Sequence, residues 1–466
     1  MHNDWAFHEM RGVRLWDARC RATLVTACER LAEHAETSFS SALGSGRKAV
    51  SRILHHETTS APSLLAGHVK ATCKRCRDHA FVLVASDTTV CDFTSHKATQ
   101  GLGGISPFPL QKGFLVHTAL ALSPEGVPLG IVHQQSWVRV PPLPEGQEDG
   151  EGGVPKASEP EVPPQPRPFA ERESHKWVEA LQGVEAALPA PIRALLVQDR
   201  EADVFAFLVA PRREGIDLLV RAVQPRRLET ETDRPAHSLQ DAVAHAPLVG
   251  THTVTVAGRP GQSGRTAHLT LRLASVTVKA PRTCPEAVRS VCVRVIRASE
   301  ETPPPGVSAL EWVLITTLPV PYAATCRRLV GYYALRWRIE RFHFVLKSGC
   351  RLERLQLDTF VTLQKAVSLY SIVAWHLLHL LYLARETPDA PVETAISERE
   401  RQVLELATGK AITTVGEVVK AVARLVGFVP VPSAPDPGVK TLWLGFRKLQ
   451  NLTEGFLLAK SRPPPL

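Results

Sequence analysis

Two short runs decide how this chain folds: Phe81-Val-Leu-Val-Ala-Ser-Asp87 and Ala194-Leu-Leu-Val-Gln-Asp199. Each is a continuous apolar stretch of strand length that ends on a carboxylate, the pattern of a buried strand rather than of an amphipathic helix. Working outward, Phe114–Leu122 and Val127–Trp137 read as two further strands joined across the turn Ser123-Pro-Glu-Gly126. Glu171–Leu188 and Ala202–Ala210 read as helices, Ile216–Ala222 and Glu311–Leu318 as strands, and a long helix runs from about Thr325 to Lys347. Strands interleaved with helices predict an α/β core. Its functional groups are expected where strands deliver polar residues at their carboxyl ends. A single aspartate there is commonly a turn or helix cap; two such aspartates invite a search for a third acid.

The third acid lies in Tyr333-Ala-Leu-Arg336-Trp-Arg-Ile-Glu340-Arg-Phe-His-Phe-Val-Leu-Lys347. At about 100° per residue, Tyr333, Arg336, Glu340 and Lys347 share an arc of roughly 60°. Leu335, Ile339, Phe342 and Leu346 fall on the opposite side and are expected in the core. The polar face has two readings from the residues alone. It is either a solvated face with Glu340 paired to Arg336 one turn away, or one wall of a site. Three carboxylates converging from two strands and a helix are the donor set of a two-metal phosphoryl-transfer site. Mg²⁺ suits it because that ion takes carboxylate oxygen and retains water. Arg336 and Lys347 would then meet phosphates, the first through its planar fork and the second as a point charge.

Composition is consistent with a nucleic-acid partner without identifying one. The 466 residues carry 55 Lys plus Arg against 46 Asp plus Glu, a net charge of +9. Residues 141–170 hold six acids, two bases and nine of the 37 prolines, so they are net −4 and the rest of the chain is +13. That segment reads as a solvated, extended loop. An apolar fraction of 44% excludes a wholly disordered chain. Nine cysteines without framework spacing, and a start with no signal-peptide pattern, point to a reducing cytoplasm. The lone Cys73-Lys-Arg-Cys76 lacks a second close pair and reads as two incidental cysteines on a helix rather than a zinc site. Ala366–Ala384 is long enough to span a membrane, but Ser368, Ser371, His376 and His379 mark it as a core helix.

Taken together, these motifs resemble those of DDE transposases of the insertion-sequence-four family, in the branch related to the transposon-five transposase. Tyr333, Arg336, Glu340 and Lys347 match the family's Y-(2)-R-(3)-E-(6)-K signature, Asp87-Thr-Thr89 its D-T-T motif and Asp199-Arg-Glu-Ala-Asp203 its D-R-E-A-D motif. Gly130–Trp137, Glu173-Ser-His-Lys-Trp177 and Thr441-Leu-Trp-Leu-Gly445 also look like family blocks, so the likeness runs along most of the chain. It departs from the pattern in Arg14-Leu-Trp-Asp-Ala-Arg19-Cys-Arg21, where Cys20 takes the place of a base, and in the length of the 141–170 loop.

The resemblance implies an RNase H-like core with an inserted β-rich subdomain, and cut-and-paste transposition in which Asp87, Asp199 and Glu340 hold Mg²⁺ or Mn²⁺. Water would cleave at the transposon end, the freed 3′ hydroxyl would form a hairpin, and the reopened end would join target DNA. Tyr333, Arg336 and Lys347 would bind DNA. Trp312 would stack on a flipped base, an interaction worth ~1–3 kcal/mol. The alternative for Trp312 is a core aromatic on a strand.

The expected layout is a helical DNA-binding domain over 1–70, the first part of the core over 71–223, a β-rich insertion over 224–310, the last strand and catalytic helix over 311–385, and a helical dimerisation region over 386–466. Expected partners are double-stranded DNA, as terminal inverted repeats and target, and a second copy of the chain in a synaptic complex. The expected setting is bacterial, cytoplasmic and nucleoid-associated, without a membrane. The rival readings are a catalytically inactive DNA-binding relic and a metal-dependent nuclease without strand transfer.

Overall fold

A computed structural model of the chain describes residues 4–34, 37–106, 110–139, 168–229, 238–256, 264–282, 288–431 and 436–461. Most of the expected acidic loop, 141–167, lies outside them. Five helices come first: α1 (Asp4–Met10), α2 (Ala18–Glu33), α3 (Phe39–Leu43), α4 (Arg47–His55) and α5 (Ala61–Cys76). The start of α5 is dictated locally. Ser60 accepts the Ser63 N–H at 3.2 Å while the Ser63 hydroxyl accepts the Ser60 N–H at 2.9 Å, and Pro62 occupies the first turn. This helix runs through the expected boundary at residue 70, so the helical region ends at Cys76. Cys73 and Cys76 are buried on it, and the Cys73 thiol donates to the Ala187 carbonyl at 3.1 Å.

Among the described residues ten strands form one mixed sheet. They are β1 (Phe81–Asp92), β2 (Gly103–Gly104), β3 (Lys112–Leu122), β4 (Pro128–Trp137), β5 (Arg193–Gln198), β6 (Ile216–Arg221), β7 (Leu248–Val256), β8 (Arg265–Lys279), β9 (Ser290–Ser299) and β10 (Glu311–Thr316). The order is β2-β3-β1-β5-β6-β10-β9-β8-β7, with β4 also on β3. β1, β5 and β6 are parallel to one another and the remaining pairs are antiparallel. The β3–β4 hairpin turns at Ser123–Gly126 as its sequence predicts. Gly126 sits there at φ +97°, a conformation that side chains resist. The β-rich stretch read as an inserted subdomain is a continuation of the same sheet. β10 pairs with β6 on one side and β9 on the other, because the chain returns after residue 310 to the edge that it left at Arg221.

Alternation along the strands sorts two cores. On one face Val82, Val84, Leu196 and Leu218 meet Trp177 of α6 (Lys176–Ala187) and Phe205 and Phe207 of α7 (Phe205–Val209). α8 (Leu239–Ala244) lies against β8 and β9. On the other face Leu83, Ala85, Val197 and Leu219 meet α9 (Ala323–Leu335), α10 (Trp337–Phe344) and the long α11 (Phe360–Glu386). α11 is the one described helix long and apolar enough to cross a membrane, and it lies buried in this core. The chain closes with α12 (Glu398–Thr408), α13 (Val415–Leu425) and α14 (Val439–Ser461).

The N-terminal helices are tied to the sheet through a buried carboxylate. Glu9 accepts from Arg75 at 2.7 and 3.2 Å and from His68 Nδ1 at 2.5 Å. His68 Nε2 accepts the Ile131 N–H at 2.9 Å, so the ring is neutral with its proton on Nδ1. Arg75 Nε donates to the Leu129 carbonyl at 2.5 Å, and its guanidinium lies 4.2 Å from the Trp375 ring. Burial alone would raise the Glu9 pKa, but these donors outweigh it and hold it at about 2.

Candidate active site

The register of the parallel strands builds the centre of the site. The β1–β5 pairing ends at Ala85 opposite Val197. Two residues further on each strand, Asp87 and Asp199 emerge on the face that meets α9 and α10, side by side on strands about 4.8 Å apart. Gln198 pairs with Val220 in β6, so the same row continues to Arg221. Asp87 is not at a strand end as its sequence suggests. β1 runs on to Asp92 beside β3, and Asp87 marks only the end of the parallel pairing. Its Oδ1 accepts the Thr88 N–H at 2.8 Å. Asp199 follows β5 and caps the short turn Arg200–Ala202 by accepting the Glu201 N–H at 2.8 Å.

The single long helix expected over 325–347 is three pieces. α9 ends at Leu335, the backbone tightens through i→i−3 bonds from Arg336 to Tyr333 and from Ile339 to Arg336, and α10 follows. A π-turn, Val345–Gly349, then completes the segment. The expected core face holds: Ile339, Phe342 and Leu346 are fully buried and Leu335 packs against them. Tyr333 is buried, and its ring meets Trp312 edge-on at 5.0 Å. Arg336 forms an ion pair with Glu340, so the pairing considered for an exposed face is present within the site.

Asp87, Asp199, Tyr333, Arg336 and Glu340 thus occupy one electrostatic neighbourhood. Lys347 does not complete the arc expected for it, because the π-turn swings it away. Its ammonium donates to the Val90 carbonyl at 2.7 Å, three residues beyond Asp87 on β1, and pairs with Glu353 at 3.0 Å. The same Glu353 oxygen accepts the Asp92 N–H at 2.9 Å. Trp312 is partly buried and backs Tyr333.

Charge is crowded at the centre. Burial pushes the Asp87 pKa up to about 7, with Asp199 and Glu340 adding to the rise and the Thr88 N–H and Arg336 opposing it. Burial also raises Asp199. His343, one turn beyond Glu340, sits with Nδ1 3.8 Å from Asp87 Oδ2. Its own burial, helped by Lys347, depresses its pKa to about 3, and Nε2 has no hydrogen-bond partner among the described residues. Beside the row, Lys176 is 3.2 Å from Glu201. Among the described residues no three His, Cys, Asp or Glu side chains stand close enough to hold a metal ion as they are, and Glu340 is committed to Arg336.

Arg221 and His343 were not singled out in the sequence. Arg221 carried the same signal as the aspartates, a charged residue closing the apolar run Ile216-Asp-Leu-Leu-Val-Arg221. His343 had only its spacing of three from Glu340.

No protein-family model matches the chain. Among solved structures, it is similar to the cryo-EM structure of a piggyBac transposase synaptic complex with hairpin DNA, at a TM-score of 0.31 and 9% identity. The match covers 83% of this chain and 55% of that one, so this chain spans about half the length of its structural neighbour.

Proposed function

We propose that the chain is a metal-dependent DNA transposase with an RNase H-like core, in which Asp87, Asp199 and Glu340 form the catalytic set. The observation that carries this reading is the parallel register, which sets Asp87 and Asp199 in one row beneath the helix bearing Glu340. The strand order β4-β3-β1-β5-β6, an antiparallel meander followed by parallel strands, supports the proposed core.

The donor set fits a divalent cation. Burial, with Asp199 and Glu340 nearby, raises the proton affinity of Asp87, and a 2+ ion would relieve that repulsion. Oxygen-only donors suit Mg²⁺, with Mn²⁺ as a substitute. When bound, the metal would supply an activated water or hydroxyl nucleophile and stabilise the leaving oxygen. The protein's own residues do the rest. Asp87 and Asp199 would hold the ion from neighbouring strands. Arg336 neutralises Glu340 until a DNA phosphate competes for the guanidinium, which frees Glu340 to join the set. The positive charges of Arg336 and Arg221 lie beside the Tyr333 hydroxyl. Lys347, held at the end of β1 by Glu353, offers a point charge to a second phosphate.

End cleavage, hairpin formation and joining to target DNA by a homodimer are the finer form of the reading. The test is Mg²⁺-dependent cleavage of DNA carrying the sequences that flank the gene. Asp87→Ala, Asp199→Ala and Glu340→Ala should each abolish cut and joined products while DNA binding persists. Cleavage retained by any one variant removes that residue from the set. Cleavage without joining by the wild type would leave a nuclease, and binding without cleavage a relic.

A further inference from the structure

Each of the two aspartates is preceded by a buried polar residue, Ser86 before Asp87 and Gln198 before Asp199. Side chains alternate along a strand, so these two point away from the acids, to the face lined by Val82, Val84, Leu196 and Leu218. There they meet. Backbone pairing of β1 with β5 ends one residue earlier, at Ala85 opposite Val197. The Gln198 side chain carries the connection further: Oε1 accepts the Ser86 N–H at 3.3 Å, and Nε2 donates to the Ser86 hydroxyl at 3.1 Å. A backbone N–H can only donate, which fixes the orientation of the amide. Gln198 is itself held from behind by its backbone pairing with Val220 of β6. On the other side of β1, the Thr88 hydroxyl lies 2.9 Å from His117 Nδ1 of β3. Asp87 thus stands between two residues tied, on the reverse face of the sheet, to β5 and to β3.

We propose that Gln198 and Ser86 are positioning residues: their clasp sets the separation of Asp87 and Asp199, and with it the affinity of that pair for a divalent cation. The inference rests on the catalytic reading proposed above and names what holds its two strand-borne acids at a common spacing. Two carboxylates that are to share an ion repel each other before it arrives. The backbone pairing that holds their strands together stops short of them. A side-chain pair one residue behind the acids opposes their parting without touching the ion. Packing does not call for these residue types, because an apolar side chain at either position would fill the same face with no polar atom to satisfy. Groups that hold metal ligands in place typically account for about 10–100-fold in metal affinity.

The experiment titrates Mn²⁺ into the full-length protein by calorimetry, and the binding that Asp199→Ala removes defines the site. Gln198→Leu is of similar size and loses both bonds. It should bind Mn²⁺ about tenfold more weakly than the wild type, and need correspondingly more Mg²⁺ for half-maximal DNA cleavage, with DNA affinity in EDTA unchanged. Ser86→Ala, which loses only the bond from Nε2, should fall between the two, and Ser86→Thr, which keeps the hydroxyl, should restore wild-type affinity. A thermal melt of each variant reports folding, and a packing role alone would lower the melting temperature and leave Mn²⁺ affinity as it was. Unchanged Mn²⁺ affinity in Gln198→Leu overturns the clasp and leaves the catalytic proposal standing. If Gln198→Leu does not fold, Ser86→Ala decides: weaker Mn²⁺ binding by a folded variant supports the clasp, and wild-type affinity overturns it. A wild type whose Mn²⁺ binding is not reduced by Asp199→Ala overturns the metal centre and the clasp together.

Discussion

Glu9 is a buried carboxylate and Asp87 a half-buried one, each beside a histidine and an arginine, yet one has a pKa of about 2 and the other of about 7. The difference is one of supply. Around Glu9 every neighbour donates: Arg75 twice, and His68 through the proton that its other nitrogen cannot carry. Around Asp87 the neighbours are further acids, one backbone N–H, and an arginine already engaged by Glu340. The first arrangement is complete and fastens α1 and α5 to β4 and α11. The second carries unrelieved negative charge, the condition in which a site takes up a cation. A buried acid therefore signals function when its surroundings leave it short of donors, and structure when they do not.

The contrast can be broken most sharply at its reactive end. Asp199→Asn keeps the shape and the cap of the Arg200–Ala202 turn but removes a charge, and should reduce metal-dependent DNA cleavage to background in a gel assay. At the fastened end, Glu9→Ala leaves Arg75 and His68 without their acceptor and should cost about 3–5 kcal/mol in urea unfolding.

The two acids should also impose opposite pH dependences on stability. Glu9, lowered from 4.5, contributes stability that is complete above that value and lost as pH falls toward 2. Asp87, raised from 3.8, costs nothing below that value; its cost grows between there and about 7 and is complete above. Asp87→Asn should accordingly raise stability by about 1–2 kcal/mol at pH 8 in EDTA and leave it unchanged at pH 4. Urea midpoints at the two pH values check this; an equal gain at both would exclude charge crowding as its cause. The smallest effect sharpens the role of the fork. Arg75→Lys retains the charge but loses the paired contacts to Glu9 and the bond to Leu129, and should cost about 1 kcal/mol.

Much of this was legible in the sequence for definite reasons. Apolar runs capped by Asp87 and Asp199 gave the strands, and the Ser123–Gly126 turn gave the hairpin. The opposed faces of residues 333–347 gave both a core stripe and a polar wall. What was hidden depended on partners distant in the chain. That β1 continues past Asp87 is decided by β3, which pairs with it to Asp92. That Lys347 leaves the polar arc is decided by Glu353 and the Val90 carbonyl through the π-turn, which helical periodicity does not encode. The β-rich stretch looked separate because Pro and Gly divide it, whereas its membership of the sheet is written only in the pairing of β10 with β6.

That pairing has a consequence for biosynthesis. β10 must close against β6 from the far side of residues 222–310, and α9 and then α10, which bears Glu340, follow it. A chain emerging from the ribosome therefore holds Asp87 and Asp199 well before it can hold Glu340. The β6 edge stays open until a long excursion has been made and returned, a slow step because the closing contacts are so distant in sequence. An unfinished copy carries two of the three acids and cannot complete the set. The order of synthesis thus withholds the proposed DNA-cutting centre until the sheet that positions it has been sealed.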